Sequence, residues 1–175
     1  MDPKDRLPAE WPVLDVEEML RRLVAAGVDF VIVGGIAMIL LGSSRLTRDL
    51  DIAFATDEAN LESLGGVLVG LNARLREIPD EVSFVPDAQS LASVELLTLD
   101  TSAGWLDVHG RLDGAPAFET LRKRAERHNL GGFSALVASP DDMLAMKRAA
   151  GRAVDLADIE ELLAIKRLRR RGTKG

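Results

Sequence analysis

Residues 28–54, VDFVIVGGIAMILLGSSRLTRDLDIAF, narrow what this chain can fold into more than any other stretch. A four-residue apolar run, Phe30 to Val33, predicts a buried strand. Gly34 and Gly35 follow at once, and residues 36–41 predict a short apolar helix stopped by Gly42. Residues 43–48 are a polar turn, and residues 49–54 form the next strand. A double glycine between strand and helix leaves backbone N–H groups uncovered, so a phosphate can approach the main chain closely. The helix N-terminus adds a partial positive charge at the same place. A tight turn is the alternative use of such a pair.

Asp49 and Asp51 alternate along the second strand with Leu50 and Ile52. Residues two apart in a strand share a face, so both carboxylates project together, roughly 6.5–7 Å apart. Two carboxylates so placed can flank a hard cation such as magnesium, which prefers oxygen ligands. Without a cation they need other positive partners, and Arg45 and Arg48 stand nearby in sequence. The segment Trp105-Leu106-Asp107-Val108-His109 repeats the alternation and offers Asp107 as a third ligand or a general base. Asp100 and Asp113 sit at turn positions instead.

Around this centre the chain reads as mixed α and β. Pro3, Pro8 and Pro12 make residues 1–14 an extended arm, with Trp11 and Leu14 as anchors. Asp15 is placed to cap a helix with Met19, Leu20, Leu23 and Val24 on its apolar side, ended by Gly27. A helix from Thr56 or Asp57 to about Leu71 contains Gly65 and Gly66, which predict a kink or break. Residues 73–90 suggest a short strand and a loop. Residues 94–99 and 105–110 read as a hairpin, residues 117–126 as a helix and residues 133–137 as a last strand. Ser139 and Pro140 open a helix that Gly151 breaks. A final helix from Ala153 or Asp155 places Leu156, Ile159, Leu162, Leu163 and Ile165 on its apolar side. The expected architecture is α+β: a small mixed β-sheet flanked by helices, with a helical C-terminal segment. Residues 15–165 form the expected domain, followed by a basic tail over 166–175.

Composition excludes several chemistries. The 175 residues contain no cysteine, which removes thiolate metal sites, disulfides and cysteine nucleophiles. The two histidines, His109 and His128, lack zinc-ligand spacing and read as surface or strand-end residues. No P-loop motif occurs. No apolar run reaches the roughly 20 residues that span a bilayer, and the N-terminus is unlike a signal peptide, so a cytoplasmic protein without membrane contact is expected. A net charge of −6 argues against nucleic-acid binding over the whole surface. The tail KRLRRRGTKG, with six basic residues and no acidic one, is either a solvated helix end or a handle for RNA.

The GG pair, the strand D-h-D of Asp49-Leu50-Asp51 and the later strand carboxylate Asp107 resemble the nucleotidyltransferase superfamily that shares the DNA polymerase beta fold. The strings GGIAMILLGSSRLTRDLDI, LLTLDTSAGWLDVHGRLDG and KRAAGRAVDLADIEEL are similar to single-domain abortive-infection-type nucleotidyltransferase toxins and their uncharacterised bacterial relatives. That resemblance implies a metal-dependent transfer of an NMP group from an NTP, ATP among them, to an acceptor hydroxyl on tRNA or protein. It implies Mg2+, or Mn2+ in its place, at Asp49, Asp51 and Asp107. It assigns Gly34, Gly35, Arg48 and Lys147 to the nucleotide, and it implies a cognate antitoxin as partner. Asp155 and Asp158, in the closing motif, read as helix caps and partners of Arg148 or Arg152. The alternatives are a non-catalytic nucleotide-binding or antitoxin-like module, and an antibiotic-modifying small-molecule nucleotidyltransferase. Many family members carry serine after the first glycine; Gly35 removes that hydroxyl from the phosphate cradle.

Overall fold

The computed structural model of the chain describes residues 13–78 and 84–173. The proline-rich arm with its Trp11 anchor, Pro79 and Lys174 lie outside the described residues. Leu14 packs against the core, and the backbone N–H of Asp15 donates to the Ala103 carbonyl at 2.8 Å. Asp15 then caps α1 (Val16–Ala25) by accepting from the Glu18 N–H at 3.0 Å. Met19, Leu20 and Leu23 are buried, whereas Val24 turns to solvent.

Among the described residues the sheet has seven strands. They are β1 (Phe30–Val33), β2 (Asp49–Phe54), β3 (Arg74–Leu75), β4 (Leu96–Thr101), β5 (Gly104–His109), β6 (Glu126–Asn129) and β7 (Ser134–Val137), in the order β3-β4-β5-β2-β1-β7-β6. It is mixed: β2 runs parallel to β5 and β1 to β7, and the other pairs are antiparallel. The register sets Val33 opposite Asp51 and Asp51 opposite Asp107. Odd-numbered residues of β2 and β5 therefore share one face, which carries the acids. Leu50, Ile52, Leu106 and Val108 form the other face and are fully buried.

The helix α2 (Gly34–Leu41) follows β1 with no intervening loop. The two glycines form its first turn, two residues earlier than the apolar run alone suggests. A φ of +66° at Gly34 makes this abrupt change of direction, and Gly42 at +117° ends the helix. Asn60, buried in α3 (Glu58–Gly70), donates to the carbonyls of Asp29 and Ala55 and accepts from the Asp29 N–H. It ties the outer ends of β1 and β2 to one helix.

α3 runs through Gly65 and Gly66 unbroken, against the expected kink. The reason is packing: a Cβ on Gly65 would collide with the Pro86 carbonyl, so the glycine admits the neighbouring chain. The short strand expected in residues 73–90 is β3, and the chain beyond Pro86 enters α4 (Ala88–Ala92), capped by Asp87, where loop was expected. The helix predicted over 117–126 stops sooner, as α5 (Phe118–Arg124), and Glu126 begins β6. Glu-Arg-His-Asn has no apolar alternation, and this edge strand exists only through its pairing with β7. Helices α6 (Pro140–Ala150) and α7 (Ala153–Gly172) pack on each other across Gly151, in the left-handed conformation at φ +62°. Ser139 caps α6 as predicted. Leu162 is buried but Leu156 is exposed, so the apolar side of α7 is narrower than its sequence suggests. The basic run continues α7 as regular helix to Gly172. Among the described residues no helix is long and apolar enough to cross a membrane.

Candidate functional site

A cleft of about 780 Å³ opens on the acidic face of the sheet. Gly34 and Gly35 form one end and Lys147, Arg152 and Asp155 one side. Asp49, Asp51 and Asp107 lie on its floor, and Glu95, Leu96 and residues 111–113 also line it. Six of the seven sequence-predicted site residues line this space. Arg48 is exposed and does not line it; Arg45 and Arg152 do. A second cavity of about 320 Å³ adjoins the cleft and shares His109, Arg111, Leu112 and Asp113 with it.

Each of the three acids is held on Oδ1 by a different donor. The Thr47 hydroxyl donates to Asp49 at 3.2 Å. His109 Nε2 lies 2.9 Å from Asp51. Arg76 Nη2 donates to Asp107 at 2.7 Å while its guanidinium lies over the Trp105 ring at 4.5 Å. Asp51 also rests on Gly34: a Cβ there would stand 2.7 Å from the Asp51 carboxyl carbon. Gly34 is thus required twice, by its positive φ and by the carboxylate above it.

His109 and Arg76 are the residues that sequence reasoning missed. His109 was detectable, because it continues the alternation of Asp107 on the same face of β5. Arg76 carries no such signal. It reaches Asp107 only because β3 and β4 lie beside β5. Arg45, offered as a partner of the strand acids, pairs with Asp158 instead.

Lys147 is buried between two acids, with Nζ 3.2 Å from Asp155 and 2.8 Å from Asp158. Asp155 also receives Arg152 Nε at 2.7 Å and the Arg152 N–H at 3.0 Å, which caps α7. The pairing of Asp155 with Arg152 follows expectation. Asp158 turns to Lys147 and Arg45 rather than to Arg148. Hydrogen bonding to Arg152 first, then its N–H and Lys147, holds the Asp155 carboxyl down to about 2. Asp107 moves the other way, to about 6: burial is the largest cause, the Asp51 and Asp49 charges add to it, and Arg76 and His109 oppose it. Burial and the neighbouring acids thus disfavour the charged form of Asp107 even with Arg76 and His109 beside it.

Three neighbouring carboxylates offer an all-oxygen donor set, which suits a hard divalent cation. Among the described residues, no three His, Asp or Glu side chains are gathered into a metal cage in this arrangement. The carboxylates are turned to Thr47, His109 and Arg76, each with its second oxygen outside those bonds. Asp51 and Asp107 are register partners on neighbouring strands.

No protein-family model and no curated protein matches the chain. Solved structures do. Lincosamide antibiotic adenylyltransferase LnuA, lincomycin-bound, superposes with a TM-score of 0.57 over 87% of this chain and 99% of its own, at 18% identity. ANT(2'')-Ia in complex with adenylyl-2''-tobramycin gives 0.54 over 91% and 97%, at 14% identity. At such identities the likeness speaks for the backbone, and the mixed sheet with its flanking helices is a nucleotidyltransferase fold.

Proposed function

We propose that this chain is a nucleotidyltransferase that moves an NMP group from an NTP to an acceptor hydroxyl and releases pyrophosphate. One observation carries the reading: Asp51 faces Asp107 across parallel strands, with Asp49 two residues along, in the cleft where α2 begins with Gly34 and Gly35. Phosphoryl transfer needs positioning and charge neutralisation more than covalent chemistry from the protein. The first-turn N–H groups of α2 have no side-chain cap, and they would receive phosphate oxygens. Arg45, Lys147 and Arg152 line the cleft, three cations paired with the two carboxylates of Asp155 and Asp158, and the excess positive charge would attract the triphosphate. Asp107 would accept the proton of the acceptor hydroxyl as its oxygen bonds to the α-phosphorus and the bond to the β-phosphate breaks. Mg2+, or Mn2+, held by Asp49, Asp51 and Asp107 would supply charge neutralisation on the phosphates.

Two acceptor classes follow from different observations. The resemblance of the sequence to abortive-infection-type toxins favours tRNA or protein, with a cognate antitoxin. The two structural neighbours, one with lincomycin bound and one with adenylyl-2''-tobramycin, favour a small hydroxylated molecule. The adjoining cavity of about 320 Å³ suits the small acceptor. A non-catalytic nucleotide-binding module is the reading left if no transfer occurs. The test is pyrophosphate release with Mg2+ and all four NTPs, in the presence of total RNA, cell protein, or a panel of lincosamides and aminoglycosides. Mass spectrometry of each acceptor then identifies the product. Release that depends on one class and disappears in Asp51→Ala supports the reading; undiminished release by Asp51→Ala would sink it.

A further inference from the structure

Gly35 and Thr47 compete for one space. A Cβ on Gly35 would stand 2.5 Å from Thr47 Oγ1, 2.8 Å from Thr47 Cβ and 3.5 Å from Thr47 Cγ2. The contact with Oγ1 could be relieved by turning the side chain. The contact with Cβ could not, because Cβ moves only with the backbone. Unlike Gly34, Gly35 has no positive φ. Its backbone would accept any residue, so the neighbour, not the conformation, excludes a side chain there. The missing side chain admits the Thr47 hydroxyl to the cleft beside the first turn of α2.

The segment carrying Thr47 is fastened from behind. Arg45 pairs with Asp158, and the Ser43 hydroxyl bonds Glu161, both acids on α7. From this anchored turn Thr47 Oγ1 reaches Asp49 Oδ1 at 3.2 Å and the Asp49 carbonyl at 3.3 Å. Both distances exceed the usual 2.7–2.8 Å of O–H···O bonds, and one proton serves one acceptor at a time. The Thr47 hydroxyl is a hydrogen-bond partner of the Asp49 carboxylate. A hard cation with strict octahedral geometry requires its carboxylates at set angles, and outer partners fix those angles.

We propose that Thr47 is a positioning residue: its hydroxyl, admitted by the bare Cα of Gly35, aims the Asp49 carboxylate for a divalent cation. The inference rests on the nucleotidyltransferase reading of the cleft. It couples the sizes of residues 35 and 47, so that a change at either one spoils the same carboxylate.

The experiment titrates Mn2+ into the full chain and reads free Mn2+ by electron paramagnetic resonance. Urea denaturation of each variant confirms that it is folded. Thr47→Val keeps the shape and removes the hydroxyl, and it should weaken Mn2+ binding about 10–100-fold. Thr47→Ser restores the hydroxyl and should bring affinity back to within about threefold of wild type. Gly35→Ala pushes Thr47 aside and should reproduce the valine loss. Gly35→Ala combined with Thr47→Val should lose little more than either change alone. Wild-type affinity in Thr47→Val, failure of serine to rescue, or losses that multiply in the double variant each overturn the proposal. Asp51→Ala separates the two levels. If it loses Mn2+ while Thr47→Val does not, only the role of Thr47 fails. If Asp51→Ala and wild type bind alike, or neither binds, the cation reading of the cleft fails and the inference with it.

Discussion

Asp107→Asn should stabilise the metal-free protein while abolishing transfer. The Asp107 side chain is 13% exposed, and its carboxyl is raised from 3.8 to about 6 by burial and by Asp51 and Asp49. In the unfolded chain it ionises near 3.8. Between those values the native state keeps a proton that the unfolded chain gives up. Above pH 6 the native carboxylate is charged and the fold bears the cost. A difference of roughly two pH units at about 1.4 kcal/mol each makes that cost about 3 kcal/mol. The sign follows: the penalty is fully present above about pH 6 and fades as the pH falls towards 4. Asparagine keeps an oxygen for Arg76 Nη2, now 2.7 Å from the aspartate, without the charge.

For a chain of this size each kcal/mol moves the melting temperature by about 2–4 °C. Scanning calorimetry in EDTA at pH 8 should therefore show Asp107→Asn melting about 6–12 °C above wild type. The gap should close progressively between pH 6 and 4. Mg2+ should then raise the wild-type midpoint at pH 8 by mass action and narrow the gap. A variant that melts at or below wild type at pH 8, or a gap that ignores pH, would refute the electrostatic reasoning.

Other positions test the geometry around the site. Gly34→Ala places a Cβ against Asp51 and forces alanine to φ +66°; it should cost about 1–3 kcal/mol in urea denaturation and remove Mn2+ binding. In α3 the two glycines should respond with opposite signs. Gly66→Ala meets nothing within 4 Å and should add up to about 1 kcal/mol, whereas Gly65→Ala meets the Pro86 carbonyl and should destabilise. Lys147→Met leaves Asp155 to Arg152 and Asp158 to Arg45, so its cost should fall near about 3 kcal/mol, the low end for breaking a buried ion pair. A neutral result in chemical denaturation would mean that the lysine is not what holds α6 to α7.

The elements with strong local signals were legible in the sequence. β1, β2, the β4–β5 hairpin and α6 carry apolar runs, strict alternation or a Ser-Pro cap, and these patterns follow from backbone geometry alone. What escaped was non-local. β6 is polar and is a strand because β7 pairs with it. Gly65 reads as a helix breaker until Pro86 is set against it. Arg76 alternates with apolar residues beside a short strand, a pattern that names no partner, and three-dimensional pairing of β3, β4 and β5 brings it to Asp107.

Taken alone, the sequence of residues 28–54 already determined that two carboxylates share a strand face just after a glycine-opened helix, since a strand's period of two admits no other arrangement. The same period put Asp107 and His109 on one face of their strand. That the two strands are parallel neighbours, with Asp51 opposite Asp107, was decided by the tertiary structure. So was the fate of the charges: His109 and Arg76 attend the acids, while Arg45 and Lys147 are drawn to Asp155 and Asp158. The physical reason is range. Side-chain direction is set by the backbone within a few residues. The partner of a buried charge is whichever opposite charge the packing leaves closest, and for Asp107 and Asp158 that charge comes from another element of the chain.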